Sequence, residues 1–168
     1  MIFNIFITVF LVLLNGFFVA AEFALVKVRM SQIELLARSG SRMAHLTRKL
    51  ITHLDEYLSA TQLGITLASL GLGWIGEPVV AEAMIDILAW LSISLPADYA
   101  HQLALPVAFV FITMMHIVFG ELAPKTMAIQ KPEKISLYIS YPLKAFYIIF
   151  KPFIWLLNSI ANRFVRLL

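Results

Sequence analysis

The 168-residue sequence contains no cysteine, and this absence excludes several kinds of chemistry at once. Without thiols there is no disulfide framework, no thiolate metal site and no cysteine nucleophile. The sequence also lacks a GxSxG elbow, a P-loop, an HExxH zinc motif and a pair of aspartates within an apolar run. These patterns carry much of known hydrolase and protease chemistry, so we expect a protein that is not an enzyme.

Charged residues are scarce, at 14%, whereas hydrophobic residues make up 61% of the chain, above the roughly 45 to 50% apolar usage of soluble domains. The composition predicts an integral membrane protein. The net charge of +3 does not indicate a nucleic-acid-binding protein, because the lysines and arginines are confined to segments beside apolar runs. The positive-inside rule explains that distribution, so we expect a lipid bilayer as partner and no nucleic acid.

Three apolar stretches, residues 2–26, 57–76 and 103–122, are long enough to cross a hydrocarbon core of about 30 Å at about 1.5 Å per residue. The first is interpreted as a retained anchor, because it carries no basic region before its apolar run, as a cleaved signal peptide would. No lysine or arginine occurs between Lys49 and Lys125. This interval is therefore predicted to leave the cytoplasm and return, with the N-terminus outside and the C-terminus cytoplasmic.

Residues 29–52 form a basic, amphipathic segment that we place at the cytoplasmic face, with a break at Gly40. Residues 77–101 contain acidic side chains but no lysine or arginine, and residues 81–91 within them predict a short amphipathic helix. This external loop has two interpretations, an ordinary solvated connector or an acidic loop that weakly attracts cations.

The C-terminal apolar segment, residues 133–166, carries a polar stripe. Its members are Lys144, Lys151, Asn158, Asn162 and Arg166. Such a stripe favours a helix lying in the membrane interface, kinked near Pro142 and Pro152. The alternative, a fourth span, would place the C-terminus outside and leave two lysines in lipid. The predicted fold class is thus an all-α membrane protein with three transmembrane helices and juxtamembrane helices on the cytoplasmic side.

The stretch HIVFGELAPKTMA, residues 116–128, places Glu121 at the end of the third apolar run. An ionised carboxylate inside a bilayer costs about 2.5 to 3.5 kcal/mol on insertion scales, so it needs a partner, a proton or a water-filled cavity. Gly120 and Pro124 predict an interrupted helix, and unwound backbone carbonyls commonly coordinate cations in membrane proteins. Glu121 is therefore the first candidate for a functional residue.

Polar side chains also occur within the other two spans. The first helix carries a polar part from Asn15 to Glu22, and in the second Gln62, Thr66 and Ser69 share a face because they recur at steps of three and four residues. Carboxylate, amide and hydroxyl oxygens, without thiolates or a histidine pair, favour a hard cation such as Mg²⁺, Ca²⁺ or Na⁺ over Zn²⁺ or Cu⁺.

The sequence allows two roles each for Glu22 and His116. Glu22 is either an interfacial carboxylate paired with Lys27 or Arg29, or part of an internal polar site. His116, one turn before Gly120, is either a hydrogen-bonded packing residue or a residue that contacts the ion ligands without touching the ion.

Three segments carry a family pattern: LNGFFVAAEFALVKVR, YLSATQLGITLASLGLGWIGEP and FGELAPKTMAIQKPEKI. Together they resemble the transmembrane domain of the CorC/CNNM family of magnesium transporters, in its bacterial hemolysin-like branch. The resemblance covers nearly the whole chain. It implies a homodimer in the inner (plasma) membrane, three spanning helices, a Mg²⁺ site among them, and cytoplasmic nucleotide-binding CBS domains outside these 168 residues.

Position by position, the resemblance implies Mg²⁺ ligands from all three spans. The third contributes the Gly120 carbonyl and the Glu121 carboxylate. The first has Val19 and Ala20 where many relatives have serine and glycine, which leaves the Ala20 backbone carbonyl, followed by Glu22. The second contributes the polar face that Gln62, Thr66 and Ser69 share. Gln62 and Thr66 stand at positions where some relatives have asparagine. The candidate set is Glu121, Gly120, Ala20, Glu22, Gln62, Thr66 and Ser69.

The leading hypothesis is the membrane domain of a Mg²⁺ transporter, with the resemblance implying Na⁺-coupled export, an antiporter. The alternative from another class is a non-transporting magnesium sensor or regulatory membrane anchor. A general divalent-cation channel is the third hypothesis.

Overall fold

The computed structural model describes the backbone of residues 2–90 and 97–165, with side chains for residues 3–76, 78–83, 85–86 and 106–165. Throughout these ranges the chain is helical apart from short turns, which confirms the predicted helical class. The elements are α1 (Ile2–Lys27), α2 (Met30–Arg38), α3 (Arg42–Thr52), α4 (Leu54–Trp90), α5 (Ala97–Met115), a π-helical turn (His116–Leu122), α6 (Ala123–Gln130) and α7 (Pro132–Val165).

Helix α1 is the centre of the bundle and packs against α4, α6, α7 and the π-helical turn. Its second half is buried, with Ala21, Ala24 and Leu25 almost completely shielded. Helices in a membrane associate through close packing, because lipid provides no hydrophobic driving force between them. The alanine-rich sequence of this half therefore suits a central position.

The contacts along α1 fix the relative directions of the helices. Phe18 packs against Gly64 and Leu11 against Gly71, so α4 runs antiparallel to α1. Gly16 lies against Phe119, and further along both helices Ala24 packs with Ala128. The helix from α5 to α6 therefore runs parallel to α1. The side of the membrane on which the N-terminus lies stays a prediction.

The second long helix does not end where the sequence predicts. α4 continues through Pro78 to Trp90, so the prediction of a separate helix at residues 81–91 is wrong where the structure describes them. Proline removes one backbone N–H and strains the preceding turn. Packing of Ala81, 5% exposed, against the fully buried Ala108 of α5 offsets this loss. Residues 91–96 of the predicted loop lie outside the described residues.

The break predicted in the basic segment is confirmed. α2 and α3 are separated at Gly40, whose φ of 92° lies in the left-handed region that glycine adopts without strain. Ser41 then caps α3 by accepting a hydrogen bond from the Ala44 N–H at 3.3 Å. The buried hydroxyl of Thr47 on α3 lies 2.9 Å from the Met43 carbonyl of its own helix and 3.2 Å from the Ser136 carbonyl, where the basic segment packs against α7.

Helix α7 runs unbroken through Pro142 and Pro152 and packs one face, including Ile139 and Leu143, against the core. Among the residues that the structure describes, four helices are long and apolar enough to cross a membrane, namely Phe3–Lys27, Leu54–Ala83, Pro106–Gln130 and Pro132–Val165. The interfacial position of α7 and the three-span topology therefore stay predictions. Arg166 of the polar stripe lies outside the described residues.

Two side-chain hydrogen bonds join α7 to the start of α4. The Tyr147 hydroxyl donates to the Glu56 carboxylate, and the Ser59 hydroxyl donates to the Asn158 side-chain oxygen at 2.9 Å. Tyr147 also stacks on Tyr57, with ring centroids 4.8 Å apart. These contacts connect the polar stripe of α7 to the rest of the bundle.

We expect Tyr147→Phe to lower the free energy of unfolding by about 1 kcal/mol, because it removes a hydrogen bond to a carboxylate and keeps the stacked ring. Tyr138→Phe on the same helix is the matched control, since this side chain is 74% exposed, and we expect no change. Thermal unfolding of both variants in one detergent measures the difference, and equal melting temperatures would contradict a stabilising role for this bond.

Candidate functional site

The helix that carries Glu121 changes pitch just before Pro124. The π-helical turn spans His116–Leu122, and at its end the Ala123 N–H donates to the Val118 carbonyl, five residues earlier. π-helical turns within α-helices are rare and are found frequently at functional sites. The interruption that the sequence predicts is thus present, but as a wider turn that precedes the proline. The prediction of a break at Pro124 itself is wrong, because the helix continues through it.

Pro124 explains the change of pitch. In an α-helix the Gly120 carbonyl would accept a hydrogen bond from the N–H of residue 124, but proline has none and its ring clashes with that carbonyl. The wider turn relieves the clash. The Gly120 carbonyl instead accepts a hydrogen bond from the side-chain amide of Asn15, with 3.0 Å between nitrogen and oxygen. The spacing of glycine and proline therefore removes the usual α-helical donor of one carbonyl oxygen within a long apolar helix.

Asn15 joins three helices through this contact. Its side chain is 2% exposed, and its oxygen accepts a hydrogen bond from the Ser69 hydroxyl of α4 at 3.1 Å. A buried amide left without partners costs about 1 to 3 kcal/mol, so the two bonds favour one register of α1 against both neighbours. We refer to Asn15, Ser69 and Gly120 as the Asn15 network.

Two glycines allow the helices to approach closely enough for these bonds. A methyl group added at Gly16 would lie 2.9 Å from the Phe119 carbonyl oxygen and 2.9 Å from Cγ of Pro124. A methyl group added at Gly120 would lie 3.2 Å from Nδ2 of Asn15 on α1 and 2.7 Å from Cδ2 of His116 in its own turn. The half-buried His116 ring therefore packs directly against Gly120, beside the Asn15 amide.

The other predicted ligands from the first and third predicted spans lie near this network. Glu121 is exposed and follows Gly120 directly. Ala20 is buried and packs with Ala128 of α6. Glu22 is half-buried, and the nearby charge that acts on it is Lys125 of α6, a partner that the sequence interpretation did not consider. The Lys125 ammonium group also lies 4.5 Å from the centroid of the Phe23 ring.

Gln62 and Thr66 face a different helix. They are exposed and line a groove of 590 Å³ between α4 and α7. The Thr66 hydroxyl donates to the Gln62 carbonyl within α4 at 2.8 Å. The structure therefore brings Ser69 and Gly120 together through Asn15, whereas Gln62 and Thr66 lie on the α7 side of α4.

The chemistry of the available groups narrows what this region can bind. Within the described part of the chain, no three histidine, aspartate or glutamate side chains cluster in a way that could hold a metal ion. A cation here would be held by one carboxylate together with carbonyl, amide or hydroxyl oxygens. Oxygen donors suit hard cations, and Mg²⁺ usually keeps several of its waters and takes only one or two carboxylates from the protein.

An apolar cavity of 340 Å³ lies between α1, α4 and α5, toward the N-terminal end of α1 from the Asn15 network. Its walls include Val12, Leu72, Met115 and Phe119. The polar lining residue Thr8 directs its hydroxyl to the Asn4 carbonyl of its own helix, at 2.9 Å. Glu22 and Lys125 lie on the other side of the network from this cavity.

Asn15 is the functional candidate that sequence reasoning did not select. It lay on a recognised polar face, but no role followed from the pattern. The detectable signal was the proline four residues after Gly120, which predicts an unpaired carbonyl in need of a donor. Nothing in the sequence indicated which helix supplies that donor.

Several membrane-length helices packed around a buried polar network define this chain as a multi-pass membrane protein. The family model described as the Cyclin M transmembrane N-terminal domain, CNNM, matches residues 6–168, and the chain belongs to this family. The resemblance to the CorC/CNNM family is therefore confirmed.

Relatives in Bacillus subtilis are similar over nearly the whole chain. UPF0053 protein YhdT is 50% identical over 152 residues, which cover 90% of this chain and 32% of the relative. UPF0053 protein YrkA is 48% identical over 164 residues, with coverage of 98% and 37%. UPF0053 protein YhdP is 45% identical over 159 residues, with coverage of 95% and 35%. The chain spans about a third of the length of these relatives.

Proposed function

We propose that this chain is the membrane domain of a Mg²⁺ transporter, which binds the ion where α1, α4 and the π-helical turn meet and moves it across the membrane. Its family is generally linked to the transport of Mg²⁺ or other divalent cations across membranes. The transported ion is the substrate of the domain.

The observation that carries the proposal is the carbonyl oxygen freed at Gly120, directly before the carboxylate of Glu121. The two groups supply a neutral and an anionic oxygen from one helical turn, and hydrogen bonds link Gly120 to Asn15 and Asn15 to Ser69. A glutamate within an apolar helix is expensive unless a cation or water offsets its charge, so a cation site gives Glu121 a physical reason to be there.

The position of the charged groups supports access from one end. Glu22 and Glu121 both follow the Asn15 network in the direction of their parallel helices, whereas the apolar cavity precedes it. A divalent cation is stabilised by carboxylates and excluded from an apolar cavity, so the ion would enter from the Glu22 end. By the positive-inside rule that end is cytoplasmic, which suits export.

Na⁺-coupled export predicts a specific transport result. When the purified protein is reconstituted in liposomes, Mg²⁺ flux should require an opposing Na⁺ gradient, and Glu121→Ala should remove the flux. Flux of equal rate without Na⁺ would exclude the antiport version. Mg²⁺ binding without any flux would favour the alternative function, a membrane magnesium sensor or regulatory anchor.

The homodimer belongs to the same proposal. Helix α5 and the π-helical turn expose a continuous apolar face that includes Phe109, Met114, Ile117 and Val118. Such a face suits either lipid or a second copy of the chain, and interfaces between membrane helices form by close packing of this kind. Because the chain has no native cysteine, single introduced cysteines on this face can report the contact by crosslinking.

A further inference from the structure

The hydrogen bonds of Asn15 reach two of the groups that the proposed cation site uses. Its amide nitrogen donates to the Gly120 carbonyl, and its amide oxygen accepts from the Ser69 hydroxyl. We propose that Asn15 is a positioning residue of the cation site, which holds the freed Gly120 carbonyl in the direction needed to bind the ion. This inference rests on the proposed function.

The direction of the network explains why an amide is suited to this position. A carbonyl oxygen only accepts hydrogen bonds, so it is the NH₂ group of Asn15 that must face Gly120. A rotated amide would place two acceptor oxygens against each other. The Gly120 carbonyl therefore sets the orientation of the amide, and in that orientation the amide oxygen accepts from the Ser69 hydroxyl. Ser69 therefore acts on the Gly120 carbonyl through Asn15.

The carbonyl keeps the capacity to bind an ion. A carbonyl oxygen has two lone pairs, and the Asn15 amide takes one of them. Pro124 has removed the backbone donor that would take a lone pair in a regular α-helix. Asn15 supplies a side-chain donor to this oxygen within the π-helical turn. The amide thus pre-organises the ligand, and its effect should appear in the affinity for the ion as well as in stability.

The test is a Mg²⁺ titration of thermal unfolding, run on the whole protein with an EDTA baseline for each variant. Asn15→Leu keeps the side-chain volume approximately and removes both hydrogen bonds. We expect its apparent dissociation constant for Mg²⁺ to rise by about 10- to 100-fold, the usual loss when a partner that orients a metal ligand is removed. Ser69→Ala should raise the constant in the same direction by a smaller factor.

Thr61→Val is the matched control on α4. Thr61 is completely buried, but its hydroxyl donates to the Leu58 carbonyl of its own helix at 2.8 Å. We expect its Mg²⁺ affinity to equal that of the unmodified protein. This control separates the loss of a buried hydroxyl from the loss of the Asn15 network.

Asn15→Asp separates positioning from packing. It places a carboxylate oxygen against the Gly120 carbonyl, so the melting temperature in EDTA should fall. A bound Mg²⁺ would attract both oxygens, so the rise in melting temperature on adding Mg²⁺ should exceed that of the unmodified protein. A residue that only fills space would lower the melting temperature in EDTA without enlarging the response to Mg²⁺.

The outcomes distinguish the two proposals. If the unmodified protein shows no response to Mg²⁺, the proposed function is overturned, and this inference with it. If the unmodified protein responds and Asn15→Leu has the same affinity, the positioning role is overturned and the proposed function stands. Should Asn15→Leu fail to fold, an unchanged affinity in Ser69→Ala together with no enlarged response in Asn15→Asp would overturn the positioning role.

Discussion

Replacing Glu121 with alanine is expected to abolish the stabilisation of the protein by Mg²⁺. Partners that merely orient metal ligands contribute about 10- to 100-fold in affinity, so a charged ligand itself should contribute at least about 100-fold. At a Mg²⁺ concentration 100 times the dissociation constant, binding stabilises the folded state by about 2.7 kcal/mol. A hundredfold weaker affinity would reduce this to about 0.4 kcal/mol. Thermal unfolding with and without Mg²⁺ measures the difference.

The matched control for this variant is Glu82→Gln, which removes an exposed carboxylate from the extension of α4. It removes one negative charge, as Glu121→Ala does, so a non-specific electrostatic effect of Mg²⁺ would change equally in both proteins. Glu121→Gln serves as a second variant that keeps the shape of the side chain. Unchanged Mg²⁺ stabilisation in Glu121→Ala would remove Glu121 from the ligand set.

Gly16→Ala should destabilise the protein by about 1 to 3 kcal/mol, the usual effect of an extra methyl group in a well-packed core. The added carbon would lie 2.9 Å from the Phe119 carbonyl oxygen and equally close to the Pro124 ring. Neither a backbone atom nor a proline ring can rotate away, so α1 must move from the π-helical turn. That movement would lengthen the bond between Asn15 and Gly120, and the response to Mg²⁺ should weaken together with stability.

Gly73→Ala provides the comparison, because a methyl group added there would have no heavy atom within 4 Å beyond its chain neighbours and the nearby backbone of its own helix. Alanine favours a helix over glycine by about 0.8 to 1.0 kcal/mol in intrinsic propensity, so this variant should be neutral or slightly stabilised. Melting temperatures of the two variants, measured with and without Mg²⁺, give the contrast. A Gly16→Ala protein as stable as Gly73→Ala would mean that the close approach of α1 to the π-helical turn is not required.

The ligand set that the resemblance implies is divided by the packing of α4. Gln62, Thr66 and Ser69 do share one face, as the helical period predicts. That face lies between two neighbours, however, and Ser69 reaches Asn15 of α1 while the other two residues line the groove with α7. A period of 3.6 residues determines which side chains lie on the same face, but not which helix covers each part of it.

The length of α4 shows a similar limit of local signals. Glycines and Pro78 near residue 76 indicate the end of a helix, and the sequence alone supports that interpretation. The buried contact between Ala81 and Ala108 joins residues from different helices, and it stabilises the extension through a proline that local propensity disfavours. Tertiary packing here outweighs the local cost of one lost hydrogen bond.

The sequence by itself determined the class and the centre of this protein. Composition and apolar runs predict a helical membrane protein, and the family follows from its motifs. The glycine, glutamate and proline of GELAP predict an irregular turn with a free carbonyl, because proline removes a donor wherever it stands. Only the tertiary structure decided what holds that carbonyl. Asn15 and Gly120 are separated by 105 positions, and their bond depends on the register at which two helices pack.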